Sequence, residues 1–124
     1  MSPIMWAGIA VMGGLGASLR FLVDSKVTAR NTLSVPLGTV VVNLSACFFI
    51  GLLSGLASKL PGIAGVVPLL GTGLLGGYST FSTASVEGAR LLRSGRVLKG
   101  CAHAGGMLVA SLLVGLVGIT LGKI

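Results

Sequence analysis

Charge is distributed along this chain in a way that few folds tolerate. The two acidic residues are Asp24 and Glu87, and the nine basic ones are Arg20, Lys26, Arg30, Lys59, Arg90, Arg93, Arg96, Lys99 and Lys123. Between them lie four charge-free runs, Met1–Leu19, Asn31–Ser58, Leu60–Val86 and Gly100–Gly122. Each approaches or exceeds the roughly 20 residues with which a helix crosses the hydrocarbon core of a bilayer. A water-soluble domain carries charge on about a quarter of its residues; here charged residues are 9% and hydrophobic ones 53%. The pattern predicts an all-α membrane protein, residues 1–124 forming a single unit of four transmembrane helices. The spans are expected at about 3–22, 35–57, 63–89 and 101–122.

The connections are short. Asp24 to Ser34 joins the first two spans, Ser58–Pro61 the next two, and the strongly basic stretch Arg90–Gly100 the last two. Pro36 suits the first turn of the second helix, where its missing N–H costs least. The first run has neither a basic n-region nor an A-x-A cleavage site, so it reads as a retained span rather than a signal peptide. Cys47 and Cys101 fall within or beside spans and read as small apolar side chains, not a disulfide. A net charge of +7 raises the possibility of a nucleic-acid partner. The basic residues, however, sit at membrane boundaries with no aromatic residues among them, which fits lipid headgroups and topology instead. Glycine is abundant, 21 residues, and Gly51/Gly55, Ser111/Gly115 and Gly118/Gly122 are small-xxx-small pairs that let helix backbones approach closely in lipid.

No charged residue lies in mid-span. Proton-coupled pumps need a titratable carboxylate in the bilayer, and a small multidrug exporter of this length would carry a glutamate in its first helix, where Met1–Leu19 has none. The third span is unusual: Gly71-Thr-Gly-Leu-Leu-Gly-Gly-Tyr-Ser-Thr-Phe-Ser-Thr-Ala-Ser-Val-Glu87. Adjacent glycines lead into a hydroxyl-rich stretch, which predicts a helix break near Gly76–Thr80. Irregular backbone at that depth is tolerated where protein buries it or where it lines a cavity or ion site. In the second span Thr39 and Asn43 share a face at i, i+4 spacing, and Asn43 must either bond a neighbouring helix or line a polar path. Ser111 either joins that path or bonds its own i−4 carbonyl. Arg20 reads as a snorkelling anchor or a helix C-cap, and His103, at the start of a span, as a membrane-surface residue.

These motifs together resemble the CrcB/Fluc family of small fluoride channels over nearly the whole chain. Gly13-Gly-Leu-Gly-Ala-Ser-Leu-Arg20 matches the glycine-rich first helix ending in Arg, and Gly38-Thr-Val-Val-Val-Asn43 matches Gly-Thr-x-x-x-Asn. Thr72 to Glu87 matches the long third-helix motif Thr-Gly-x-x-Gly-Gly-x-Thr-Thr-Phe-Ser-Thr-Phe-Ser-x-Glu with two departures, Ser79 and Ala84. The resemblance implies an antiparallel dimer with two pores along the interface, exporting fluoride passively across the inner (plasma) membrane. It also implies a structural sodium ion (Na+) held by the backbone carbonyls of Gly76 and Ser79. The implied pore residues are Asn43, Phe81 and Ser111, with Ser82 and Thr83 beside Phe81 and Thr39 on the Asn43 face. Amide and hydroxyl donors can replace fluoride's water shell, and the positive edge of a phenyl ring can face an anion. Neither an enzyme nucleophile, a metal cluster nor a phosphate-binding loop competes with this reading.

Two features depart from a simple homodimer. Ala84 stands where the family has its second phenylalanine, so a dimer of this chain alone lacks that ring twice. Charge is also one-sided: Arg20, Lys26, Arg30, Arg90, Arg93, Arg96 and Lys99 share one side with four spans, against Lys59 and Lys123 on the other. The positive-inside rule then puts both termini outside. Together these predict one fixed-orientation half of a heterodimer with a homologous subunit of opposite orientation. The alternatives are a homodimer that tolerates Ala84 and a non-conducting structural subunit of a membrane complex.

Overall fold

The computed structural model describes residues 1–33 and 35–124. Ser34, the end of the first expected connection, lies outside the described residues. The described residues are mostly helical, with no strand among them.

Helix α1 spans Pro3–Arg30. Ser2 caps it, its side chain accepting from the Met5 N–H at 3.2 Å, and Pro3 opens the first turn. The helix runs well past residue 22, because Arg20, Asp24, Lys26 and Arg30 carry charge but do not break a helix. It ends at Asn31, whose side chain accepts from the Leu33 N–H at 2.9 Å and donates to the Val35 carbonyl at 2.8 Å. That local turn offers the backbone an alternative to another helical turn.

Helix α2 spans Leu37–Lys59, directly after Pro36. A 3₁₀ turn at Pro61–Ile63 and a π-helical segment, Pro68–Leu75, follow. The π segment runs into the short α3, Gly76–Tyr78; then come α4, Ser82–Arg93, and α5, Val97–Lys123. The basic connection shrinks to a turn at Ser94–Arg96, made possible by Gly95 at φ +82°. Among the described residues three helices, α1, α2 and α5, with 28, 23 and 27 residues, are long and apolar enough to cross a membrane.

Small residues decide how these helices meet. The most extensive contact is α2 against α5. A Cβ added to Gly51 would strike the Gly115 carbonyl, one on Gly118 the Phe48 carbonyl, and one on Gly122 the Leu52 carbonyl. Lipid tails are as apolar as leucine, so close backbone packing of this kind has to hold membrane helices together. Helix α1 meets the π segment and α3 in the same way: Gly16 lies against Leu74 and Tyr78, Gly73 against Ile9 and Met12, and Gly77 against Gly13. The interior centres on Val42, Ala46 and Tyr78, with Val23 and Leu75 packed against them.

Candidate functional site

The chain leaves the helical ladder at Ser79, which is extended at φ −72° and ψ 161°. Its N–H makes the last bond of α3, to the Leu75 carbonyl at 2.9 Å. In a continuous helix the next N–H, of Thr80, would close on the Gly76 carbonyl. Instead it donates to Asn43 Oδ1 at 2.9 Å, while Asn43 Nδ2 donates back to the Thr80 carbonyl at 2.8 Å. One side chain therefore satisfies both backbone groups of Thr80, a buried residue whose polar groups would be costly to leave unmade. The Thr80 side chain then starts the next helix, Oγ1 accepting from the Thr83 N–H at 3.2 Å.

Two further bonds from α2 flank this clamp. Ser45 Oγ lies 2.9 Å from the Tyr78 hydroxyl, and Thr39 Oγ1 donates to Glu87 Oε1 at 2.7 Å. Thr39, Asn43 and Ser45 thus grip the segment from Tyr78 to Glu87 from one side.

The candidate residues fall into separate places. Asn43, Phe81 and Ser111 line one cleft of about 470 Å³ between α2, the start of α4 and α5, together with Ser79, Ala84 and Met107. Phe81 is 87% exposed. Ala84 leaves the neighbouring wall without a ring. Thr39 and Thr83 come together in a second pocket of about 380 Å³ with Arg20, Asp24 and Thr80. Thr80 borders both hollows and stands as the wall between them. Ser82 is exposed and lines a shallower hollow of about 260 Å³ with Thr83, Glu87 and Arg90. Gly76 is exposed and Ser79 half-buried.

Donor accounting separates these groups. The single Thr39 hydroxyl proton is used on Glu87. Asn43 spends its oxygen and one N–H on Thr80, and its second N–H faces the Met107 sulfur at 3.7 Å, a weak acceptor. Ser18, Ser45 and Ser85 each bond their own i−4 carbonyl. Ser111 makes no such bond among the described residues, so its hydroxyl is available within the cleft.

Three residues gain detail beyond the sequence reading. His103 is 7% exposed, its Nε2 buried with no hydrogen-bond partner among the described residues. It lies on α5 between Gly100, which packs under Leu91 and Leu92 of α4, and Met107, which faces Asn43. Arg20 does not sit at a helix end but well inside α1, lining the pocket of Thr39 and Thr83. Glu87 was legible only as the end of a motif; the structure gives it a partner in Thr39 and leaves its Oε2 buried with no partner among the described residues. Its position at the edge of the third charge-free run was the available signal.

Known proteins share this sequence along its length. Residues 7–123 match the family model described as CrcB-like protein, Camphor Resistance (CrcB). The chain is 41% identical over 121 residues to fluoride-specific ion channel FluC 2 of Cutibacterium acnes, covering 97% of each. It is 39% identical over 123 residues to FluC 2 of Mycobacterium tuberculosis strain H37Rv, covering 99% of this chain and 91% of that one. With FluC of Aquifex aeolicus identity is 41% over 116 residues, covering 93% and 94%. A full-length family match and several relatives at this identity establish that the chain belongs to the CrcB-like family.

Proposed function

We infer that this chain is one subunit of a fluoride-specific ion channel that lets fluoride leave the cell passively across the plasma membrane. The relatives' names supply the ion, and the carrying observation is the Asn43–Thr80 clamp. It sets Phe81 and Asn43 on one cleft with the free hydroxyl of Ser111. An amide N–H, a hydroxyl and the edge of a phenyl ring are the groups that can replace water around a small anion without trapping it by full charge. Nothing in this set performs chemistry on a substrate; the role is conduction, not catalysis.

In this reading Pro68–Tyr78 and α4 are the two halves of one broken crossing, the third of four. Irregular backbone at Ser79–Phe81 is admissible there because Asn43 satisfies it and because it lines a cleft. The same segment suits a sodium ion. Thr80 N–H goes to Asn43, so the Gly76 carbonyl lacks that helical donor, and the extended Ser79 turns its carbonyl out of the ladder. Freed carbonyl oxygens of this kind hold alkali cations in discontinuous membrane helices. Sodium bound by Gly76 and Ser79 would supply fixed positive charge beside an anion path.

The complete pore requires a second subunit of opposite orientation. Phe81, 87% exposed, and the open cleft beside it await a facing surface. Ala84 and the one-sided basic residues favour a homologous partner over a second copy of this chain, with both termini of this subunit outside. Fluoride-electrode efflux from liposomes tests the reading: co-reconstituted with a homologous subunit, this chain supports fluoride but not chloride efflux, and Phe81→Ala abolishes it. Absence of fluoride efflux from every pairing would leave a structural, non-conducting subunit. Robust efflux from the chain alone would overturn the heterodimer and keep the channel.

A further inference from the structure

We propose that the basic end of the molecule is a binding surface for anionic phospholipid, formed by the last turns of α1 and α4 and the turn between α4 and α5. Lys26 and Arg30 on α1, Arg90 and Arg93 on α4, and Arg96 in the turn are all exposed. None of these five has an ion-pair partner among the described residues.

The fold collects them at one end. The last turns of α1 lie against the first turn of α2, where Asp24 and Thr28 crowd Gly38. The end of α4 lies against the first turn of α5, where Leu91 and Leu92 pack on Gly100. At the opposite end Lys59 donates to the Ile124 carbonyl oxygen at 2.6 Å, so α2 and α5 finish together there. Two acids do not balance these five basic residues. Asp24 lines the internal pocket with Arg20, and Glu87 accepts from Thr39 between α2 and α4.

Apolar neighbours identify the partner as a lipid rather than a soluble polyanion. Leu92, Val97 and Leu98 are 47%, 56% and 84% exposed and flank Arg93 and Arg96 in the chain. Basic residues beside exposed aliphatic ones match a phospholipid, with phosphate at the guanidinium groups and the first methylenes against leucine and valine. A soluble phosphate or nucleic acid would gain nothing from those leucines. Arginine forks also pair phosphate oxygens bidentately. Because α4 begins at Ser82, next to Phe81, a lipid held at its far end also anchors the helix that follows Phe81.

Native mass spectrometry of the full-length purified protein, with phosphatidylglycerol and phosphatidylcholine of identical acyl chains, tests this directly and does not depend on the ion conducted. The expected result is preferential retention of phosphatidylglycerol. The preference falls roughly tenfold or more in the triple variant Arg90→Gln/Arg93→Gln/Arg96→Gln. It is unchanged in Lys59→Gln/Lys123→Gln at the opposite end. In the unmodified protein, where no variant can misfold, raising salt to about 1 M, with a screening length of roughly 3 Å, should weaken the preference. Equal retention of the two lipids, loss of preference in the opposite-end variant, or insensitivity to salt would each overturn the proposal.

Discussion

Asn43 and Thr80, 37 residues apart in sequence, are joined as two residues of paired strands would be: Asn43 Nδ2 donates to the Thr80 carbonyl at 2.8 Å and Thr80 N–H donates to Asn43 Oδ1 at 2.9 Å. The side chain stands in for a missing backbone partner. An unpaired buried peptide group costs about 1–3 kcal/mol, so Asn43→Ala should lower the thermal midpoint in detergent through both orphaned groups. Asn43→Asp keeps the acceptor for Thr80 N–H and loses the donor to its carbonyl. With a carboxylate oxygen set against that buried carbonyl, it should be destabilised at least as much as Asn43→Ala and conduct no fluoride, because a carboxylate repels the ion.

Phe81 gives the opposite pattern. Since it is 87% exposed within the subunit, Phe81→Ala should change the stability of the isolated chain by less than about 0.5 kcal/mol, the usual range for exposed positions. Fluoride efflux should be lost. A large drop in subunit stability with flux retained would contradict the placement of Phe81 at a pore facing a partner.

Thr39 and Glu87 form a part-buried pair in which one hydroxyl satisfies one carboxylate oxygen at 2.7 Å. Thr39→Ser keeps that donor and should be close to neutral. Thr39→Val preserves volume but leaves both Glu87 oxygens unpaired, at a cost of about 1–3 kcal/mol, read as a lowered thermal midpoint in detergent. Equal midpoints for the two variants would mean that the bond contributes nothing.

Glycine substitutions map the packing. A Cβ on Gly118 would strike the Phe48 carbonyl, whereas one on Gly14 meets nothing within 4 Å. Gly118→Val should therefore force α5 away from α2 and cost about 1–3 kcal/mol. Gly14→Ala should gain up to about 1 kcal/mol of helix propensity. Thermal unfolding of the two purified variants separates these outcomes.

Much of this arrangement is legible in the sequence, for identifiable reasons. Charge-free runs mark α1, α2 and α5, because lipid excludes charge and demands internally satisfied backbone. Small-residue pairs such as Gly51/Gly55 and Gly118/Gly122 mark the α2–α5 contact, because only small residues allow that approach. Helix ends were less legible. Helix α1 continues to Arg30 and α4 to Arg93 because charge at the membrane boundary changes the solvent, not the backbone preference. Asn43 stood between two readings, a bond to a neighbouring element or a polar path; its bonds to Thr80 depend on the backbone leaving the helix 37 residues away. The burial of His103 is likewise a matter of tertiary packing that no local pattern encodes. Thr39 and Asn43 share a helix face, yet Thr39 lines a pocket with Thr83 while Asn43 lines the cleft with Phe81, because Thr80 stands between them.

The channel reading is tested most directly by fluoride-electrode efflux from liposomes containing this chain together with a homologous subunit, with Phe81→Ala and the single chains alongside. The account predicts rapid fluoride efflux without chloride efflux from the pair, little from this chain alone, and none from the pair carrying Phe81→Ala. Efflux from the pair that survives Phe81→Ala, or no fluoride efflux from any combination, would contradict it.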